Sequence, residues 1–456
     1  MERFSAAILT LAFLFAQAQA QRLTVSPSGR YFTQNGKPFF WLGDTAWLLI
    51  KKCSREEALR YLDTRKTQGF NVVQIMLLHD LKNPQNFYGT EAFTGGDISN
   101  PLVTTGKDRH IKGQYDYWDH VEWVVDEAAR RGIYAALVPV WGSNVKAGLV
   151  SEEQAKAYAE FLSARFKTKR NVIWLNGGDI KGTDGENVWK TIGSTLRRND
   201  PNHLISFHPR GRTMSSEFFH DQHWLDFNMF QSGHRNYAQD VSPDEKHHFG
   251  EDNWRYARND YNLTPIKPTL DGEPSYENIP QGLHDPKMPR WTASDVRRYA
   301  YWSVFEGGAG FTYGENSTMQ FYKAGDKDPA YGAEIDWRES INSPGANQVQ
   351  FLKKLMLSKP YFDRVPADDL VANQGERYQH IAATSGKNYA FLYTYTGRTI
   401  EVKMGLIPGK TLRAAWYDPR NGKYLQIGSI QNVGIKSFDP PGDEKEANDW
   451  VLVLEK

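Results

Sequence analysis

Two acidic residues carry the strongest chemical signal in this 456-residue chain. Asp179 closes the run Trp174-Leu175-Asn176-Gly177-Gly178-Asp179, and Glu273 sits in Asp271-Gly272-Glu273-Pro274. Each follows a short apolar run. Two carboxyl groups flanking one acetal carbon can hydrolyse a glycosidic bond. One protonates the leaving oxygen, and the other attacks the anomeric carbon or activates water. Gly177 and Gly178 let the backbone bend sharply and leave room beside Asp179. Pro274 stiffens the chain after Glu273. A lone acid more often caps a helix or pairs with an arginine. Two acids at two strand ends point to catalysis.

Those apolar runs belong to a repeating alternation. Strand-like runs fall at 39–42, 70–78, 133–140, 172–175, 204–208, 226–230, 268–270 and 311–313, most of them followed by a helical stretch. Ser54 with Glu57, and Ser151 with Gln154, form capping boxes that predict two helix starts. Short apolar runs suit parallel strands buried on both faces. Strand-helix alternation of this kind predicts an α/β fold, a (β/α)8 TIM barrel. The link from the fifth strand to the sixth shows no clear helix. A doubly wound open sheet is the alternative, but it carries a Gly-rich phosphate loop after its first strand. Gly43-Asp44-Thr45-Ala46-Trp47 is not one.

In such a barrel the reacting groups hang from the C-terminal ends of the strands. The polar and aromatic residues at those ends are Asp44 with nearby Trp47, His79 and Asp80, Trp141, Asn176 and Asp179, His208, Gln231, Asp271 and Glu273, and Tyr313 and Glu315. Asp44, Trp47, His79, Trp141, Asn176, His208, Gln231 and Tyr313 form the expected substrate-binding set. Carboxylates and amides bond hydroxyls, and Trp faces stack on the C–H surfaces of a sugar. Asp44 has a second reading, an Asx cap of the following turn. Glu315 is the alternative nucleophile. His220-Asp221-Gln222-His223 and His247-His248 resemble metal ligands only superficially. No acid-His spacing on a helix accompanies them, so they read as solvated loop and no metal site is expected.

Composition bounds the rest. Lys plus Arg is 55 and Asp plus Glu 54, for a net charge of +1, which argues against a nucleic-acid binder. A single cysteine excludes an internal disulfide framework and a Cys-rich zinc site. Aromatic residues reach 13%, a surplus that could line a sugar site. Residues 1–20 read as a cleavable secretory signal: an apolar run too short to span a membrane, ending in Ala18-Gln19-Ala20. Residues 21–365 form the expected catalytic barrel with short N-terminal strands. From 366 to 456, short runs separated by turn signals predict an antiparallel β-sandwich, either glycan-binding or structural. A secreted or periplasmic protein without a membrane anchor follows. Its expected partner is an oligosaccharide or polysaccharide; no cofactor is expected and no oligomeric state is implied.

The segments Phe40-Trp41-Leu42-Gly43-Asp44-Thr45-Ala46-Trp47, Gly69-Phe70-Asn71-Val72-Val73-Gln74, Trp174 to Asp179 and Asp271 to Pro274 resemble the apiosidase-like bacterial enzymes of glycoside hydrolase family 140. The resemblance covers nearly the whole chain. It implies a barrel that releases terminal apiose, or a similar pentofuranose, from the pectic polysaccharide rhamnogalacturonan II with retention. It further implies Asp179 as acid/base and Glu273 as nucleophile. The wider clan of retaining barrels ends its fourth strand in Asn directly followed by Glu; here two glycines separate Asn176 from an Asp. A non-catalytic carbohydrate-binding barrel, or a glycosidase of the same fold acting on another plant glycan, is the alternative.

Overall fold

The computed structural model describes residues 22–241 and 247–456, so the expected signal at 1–20 lies outside the described residues. A three-stranded antiparallel sheet, Leu23–Val25, Phe32–Gln34 and Lys37–Phe39, leads into the first long strand. Eight parallel strands then alternate with helices: β1 Trp41–Thr45, β2 Val72–Met76, β3 Tyr134–Val138, β4 Val172–Ile180, β5 Ile205–Pro209, β6 Asn228–Gln231, β7 Thr269–Asp271 and β8 Gly310–Tyr313. Hydrogen bonding runs in the order β5-β4-β3-β2-β1-β8-β7-β6.

The ring is nearly closed. Between β5 and β6 there is no ladder; the Asp226 N–H donates to the Ile205 carbonyl (2.8 Å), the Ile205 N–H to Asp226 Oδ2 (2.7 Å) and the Ser206 hydroxyl to the Phe227 carbonyl (2.7 Å). The connection there holds a two-residue strand, Thr213–Met214, and a four-residue helix, Ser216–Phe219. This is the stretch whose sequence lacks a helical period. Both predicted capping boxes form, on the helices Arg55–Thr67 and Glu152–Phe166. Strand residues are buried on both faces. Val73, Ile75, Ala135 and Leu137 pack outward on the helix layer, while Val72, Ala136 and Val138 face the barrel interior. Cys53 is buried, and burial pushes its thiol up, so it is inert. Among the described residues no helix is long and apolar enough to cross a membrane.

The C-terminal region is a six-stranded antiparallel sheet faced by a two-stranded ribbon, Ile400–Lys403 with Ile435–Phe438. Its strand Tyr389–Thr394 is buried throughout because both faces are covered. Ala390 and Leu392 pack with Ile400, Val402 and Phe438 inside the domain. Phe391 and Tyr393 join the barrel core instead, and Tyr393 stacks on Tyr301 of the helix Ala293–Phe305 at 4.8 Å. On the same helix Arg297 makes a bidentate pair with Asp449 (2.8 and 2.7 Å), both buried. The sheet therefore acts as a wall of the barrel.

Candidate active site

The end of β4 is built by a bulge. Gly177 pairs with His208 and Ile180 with Pro209, so Gly178 and Asp179 are extra residues thrown out of the ladder. Gly177, Gly178 and Asp179 have φ of 87°, 114° and 48°. Gly177 and Gly178 are adapted to this region, and Asp is among the few other residues that enter it readily. A Cβ on Gly178 would lie 2.6 Å from Trp141, and one on Gly177 would lie 2.7 Å from the His208 carbonyl. The bulge carries the Asp179 side chain into a cleft of about 440 Å³ at the strand ends.

Glu273 enters the same cleft two residues beyond β7. The Gly272 N–H donates to the Phe230 carbonyl (2.8 Å), which holds the turn against β6. Two histidines grip the carboxylate. His234 Nε2 lies 3.1 Å from Glu273 Oε1, and His208 Nε2 lies 3.3 Å from Oε2. The His234 Nδ1 accepts from the Tyr276 N–H (3.4 Å) and the His208 Nδ1 from the Asp179 N–H (3.3 Å). Each Nδ1 is thus an acceptor, which places the ring proton on Nε2, facing Glu273. Tyr276 also bonds Glu273 through its hydroxyl, which accepts from Trp47 Nε1 (3.1 Å).

These surroundings drive the two carboxyls apart. Desolvation of its carboxyl by the cleft walls raises the Asp179 pKa to about 6, helped by the Glu273 charge and opposed by the Gln231 amide. Burial acts on Glu273 in the same sense, but hydrogen bonding by His208 and His234 outweighs it and brings that carboxyl down to about 2. Near neutral pH Glu273 is an anion, and Asp179 is far closer to holding its proton. Asp179 keeps solvent-exposed surface, whereas Glu273 is buried beneath it.

Of the expected set, Trp47, Trp141 and Gln231 line this cleft with the two acids, the indoles 5.3 Å apart. His208 is fully buried behind them and touches the carboxylate rather than the cleft. Four expectations are corrected. Asp44 is buried in an ion pair with Arg65 (2.6 Å) and bonded by the Tyr61 hydroxyl, facing the helix layer. Neither sugar binding nor an Asx cap describes it. Asn176 donates to the Trp189 carbonyl (2.7 Å), because it precedes the bulge and still obeys the strand's outward alternation. Tyr313 is buried with its hydroxyl on Glu277 (2.6 Å). His79 is exposed on a separate small crevice beside Lys51 and Asp80. Glu315, the alternative nucleophile, is buried as the cap of Asn316–Met319, accepting from the Thr318 N–H.

The histidine-rich loops stay apart from the cleft. His220 bonds Asn228, His223 is exposed, and His247 pairs with Glu217 at 2.8 Å. Sequence reasoning missed His234, Tyr276, Tyr331 and the arginines Arg210, Arg212 and Arg235, all of which line the cleft. They sit on loops after β5, β6, β7 and β8, where no period marks them. The polar stretch Gln231-Ser232-Gly233-His234 was the available signal.

Comparison with known proteins agrees with this arrangement. Residues 26–363 match the family model "Apiosidase-like, catalytic domain", and residues 365–455 match "Putative collagen-binding domain of a collagenase". A solved structure described as a glycoside hydrolase shares 43% identity over 96% of this chain and 97% of its own, with a TM-score of 0.90. A second, a glycoside hydrolase family 5 protein from Bacteroides vulgatus, shares 42% identity over 95% and 94%, also at 0.90. None of the curated proteins matches. With a nearly closed barrel and a family model covering most of the chain, this protein belongs to the apiosidase-like family and has the fold of a glycosidase.

Proposed function

We propose that the protein is a secreted or periplasmic, exo-acting retaining glycosidase that removes terminal apiose, or a similar pentofuranose, from rhamnogalacturonan II, as members of glycoside hydrolase family 140 do. Glu273 attacks the anomeric carbon while Asp179 gives its proton to the leaving oxygen. Asp179 then takes a proton from the water that releases the sugar, and configuration is retained. The observation that carries this reading is the placing of two carboxyls in one cleft in unlike surroundings, Glu273 gripped by two histidines and Asp179 thrown out of the ladder beside it, which push their pKa values apart. His208 and His234 keep Glu273 ionised and oriented, and Trp47 and Trp141 offer faces for a sugar ring. Arg210, Arg212 and Arg235 also line the cleft wall, Arg212 paired with Asp240 (3.3 Å). The test is product analysis after incubation with depolymerised rhamnogalacturonan II and with arabinose-bearing glycans. Free apiose from the first alone supports the reading. Arabinose from the second alone removes the apiose assignment while keeping the glycosidase.

A further inference from the structure

A second cluster of side chains lies far along the chain from the cleft residues, where the barrel meets the C-terminal sheet. Glu306 follows the helix Ala293–Phe305, Asp368 sits in the turn Asp368–Leu370, and His380 precedes the strand Ile381–Gly386. One ligand atom from each falls within 4.8 Å of the others. Glu306 and His380 are fully buried, while Asp368 keeps some exposure at the open side of the seam. Arg258 holds one oxygen of each acid, Glu306 Oε2 and Asp368 Oδ2. That single cation compensates one of two acidic charges. The other Glu306 oxygen, Oε1, is turned towards His380 Nε2 at 3.4 Å, and both atoms are buried without a hydrogen-bond partner.

We propose that this seam binds a borderline divalent cation of the Zn²⁺ class through His380 Nε2, Glu306 Oε1 and Asp368, with Arg258 holding the opposite oxygens of the acids. Buried polar atoms left unpaired cost free energy, and a cation between them satisfies both at once. The spacing fits. Ligand atoms about 2.0–2.1 Å from a tetrahedral zinc stand roughly 3.3 Å from one another. The His380 ring is fixed by stacking on Trp254 (4.2 Å between centroids) and by the edge of Trp302, so Nε2 has one direction. An imidazole in the set favours zinc over calcium, which takes oxygen ligands only. Because Glu306 belongs to the barrel and two ligands to the C-terminal region, the ion would pin the two together.

The test uses the full chain, stripped with chelator, then equilibrated with Zn²⁺ and freed of excess. Elemental analysis should find one zinc per chain, and Tm should rise with Zn²⁺ but not with Ca²⁺. Co²⁺ in its place should show the visible bands of a tetrahedral site. His380→Gln and Asp368→Asn, each checked for folding by circular dichroism, should weaken zinc binding at least about tenfold. Asp368→Asn is the milder change, at the exposed corner, and keeps the test open if His380→Gln unfolds. No retained zinc in the stripped and reloaded wild type would overturn the proposal. So would zinc that Asp368→Asn binds as tightly as wild type, which would place the ion elsewhere, or a Tm that rises equally with Ca²⁺.

Discussion

Asp44 and Asp179 are the same residue type at the same end of the same barrel, and they have opposite fates. Asp44 continues β1 in register with β2 and β8, so its side chain falls on the helix-facing side, where Arg65 and Tyr61 meet it. Asp179 is outside any register because two glycines let the chain leave the ladder. Arg65 ties Asp44 into a dry pair. Asp179 instead faces the cleft, beside the Glu273 carboxylate and the Gln231 amide. A carboxylate at a strand end thus becomes a candidate acid only when the backbone turns it into the mouth, beside a second carboxylate.

The comparison can be broken at several points. The largest effect is expected at Glu273→Ala, which removes the proposed nucleophile. Turnover of every glycoside should fall to background with the melting temperature little changed. Activity surviving on any substrate would contradict the assignment. Next, Asp179→Ala should slow glycosides with poor leaving groups by about 10²–10⁴-fold and spare activated aryl glycosides far more. Steady-state kinetics on both substrate types measure this.

Asp44→Asn should show the reverse pattern. Breaking a buried pair strands Arg65, at a cost of about 3–5 kcal/mol. Denaturant unfolding should report that loss while the folded protein keeps its kcat. A stable variant with lost activity would return Asp44 to the cleft. Gly178→Ala lies between the two. It meets Trp141 and takes a φ of 114° that side chains avoid, which costs about 1–3 kcal/mol and displaces Asp179. Activity should fall further than stability does.

The smallest effect expected is a titration. Asp179 must hold its proton to act as acid, so kcat/KM should fall as pH rises through about 6. Glu273 must be ionised, so the acid limb should lie near 2. In Glu273→Gln one of the two influences raising Asp179 disappears, and its pKa should drop while desolvation by the cleft walls keeps it above an ordinary carboxylate. Carbon NMR of labelled aspartate reads the shift. No change would mean that the two groups do not sense each other.

Much of this was legible in the sequence, and the failures have a common cause. Short apolar runs and capping serines marked the strands and helices, and the glycines before Asp179 marked the bend. Nothing in a period says whether the last residue of a strand points into the mouth or onto the helices. Asp44, Asn176 and Tyr313 were therefore expected in the cleft and lie behind it. Loop residues such as His234 and Tyr276 follow no period at all, and only the folded chain brings them to Glu273. The sequence leaves the C-terminal domain as glycan-binding or structural; Phe391 and Tyr393 join the barrel core, while Ala390 and Leu392 pack inside the domain.

The central claim is that Asp179 and Glu273 do different work in a double displacement. Azide added to Asp179→Ala tests it most directly, with an activated aryl glycoside as substrate. The account predicts that azide restores turnover and yields a glycosyl azide of retained configuration, because Glu273 still forms the covalent intermediate. It also predicts that any azide product of Glu273→Ala has inverted configuration. An inverted product from Asp179→Ala, or no rescue in either variant, would contradict the assignment.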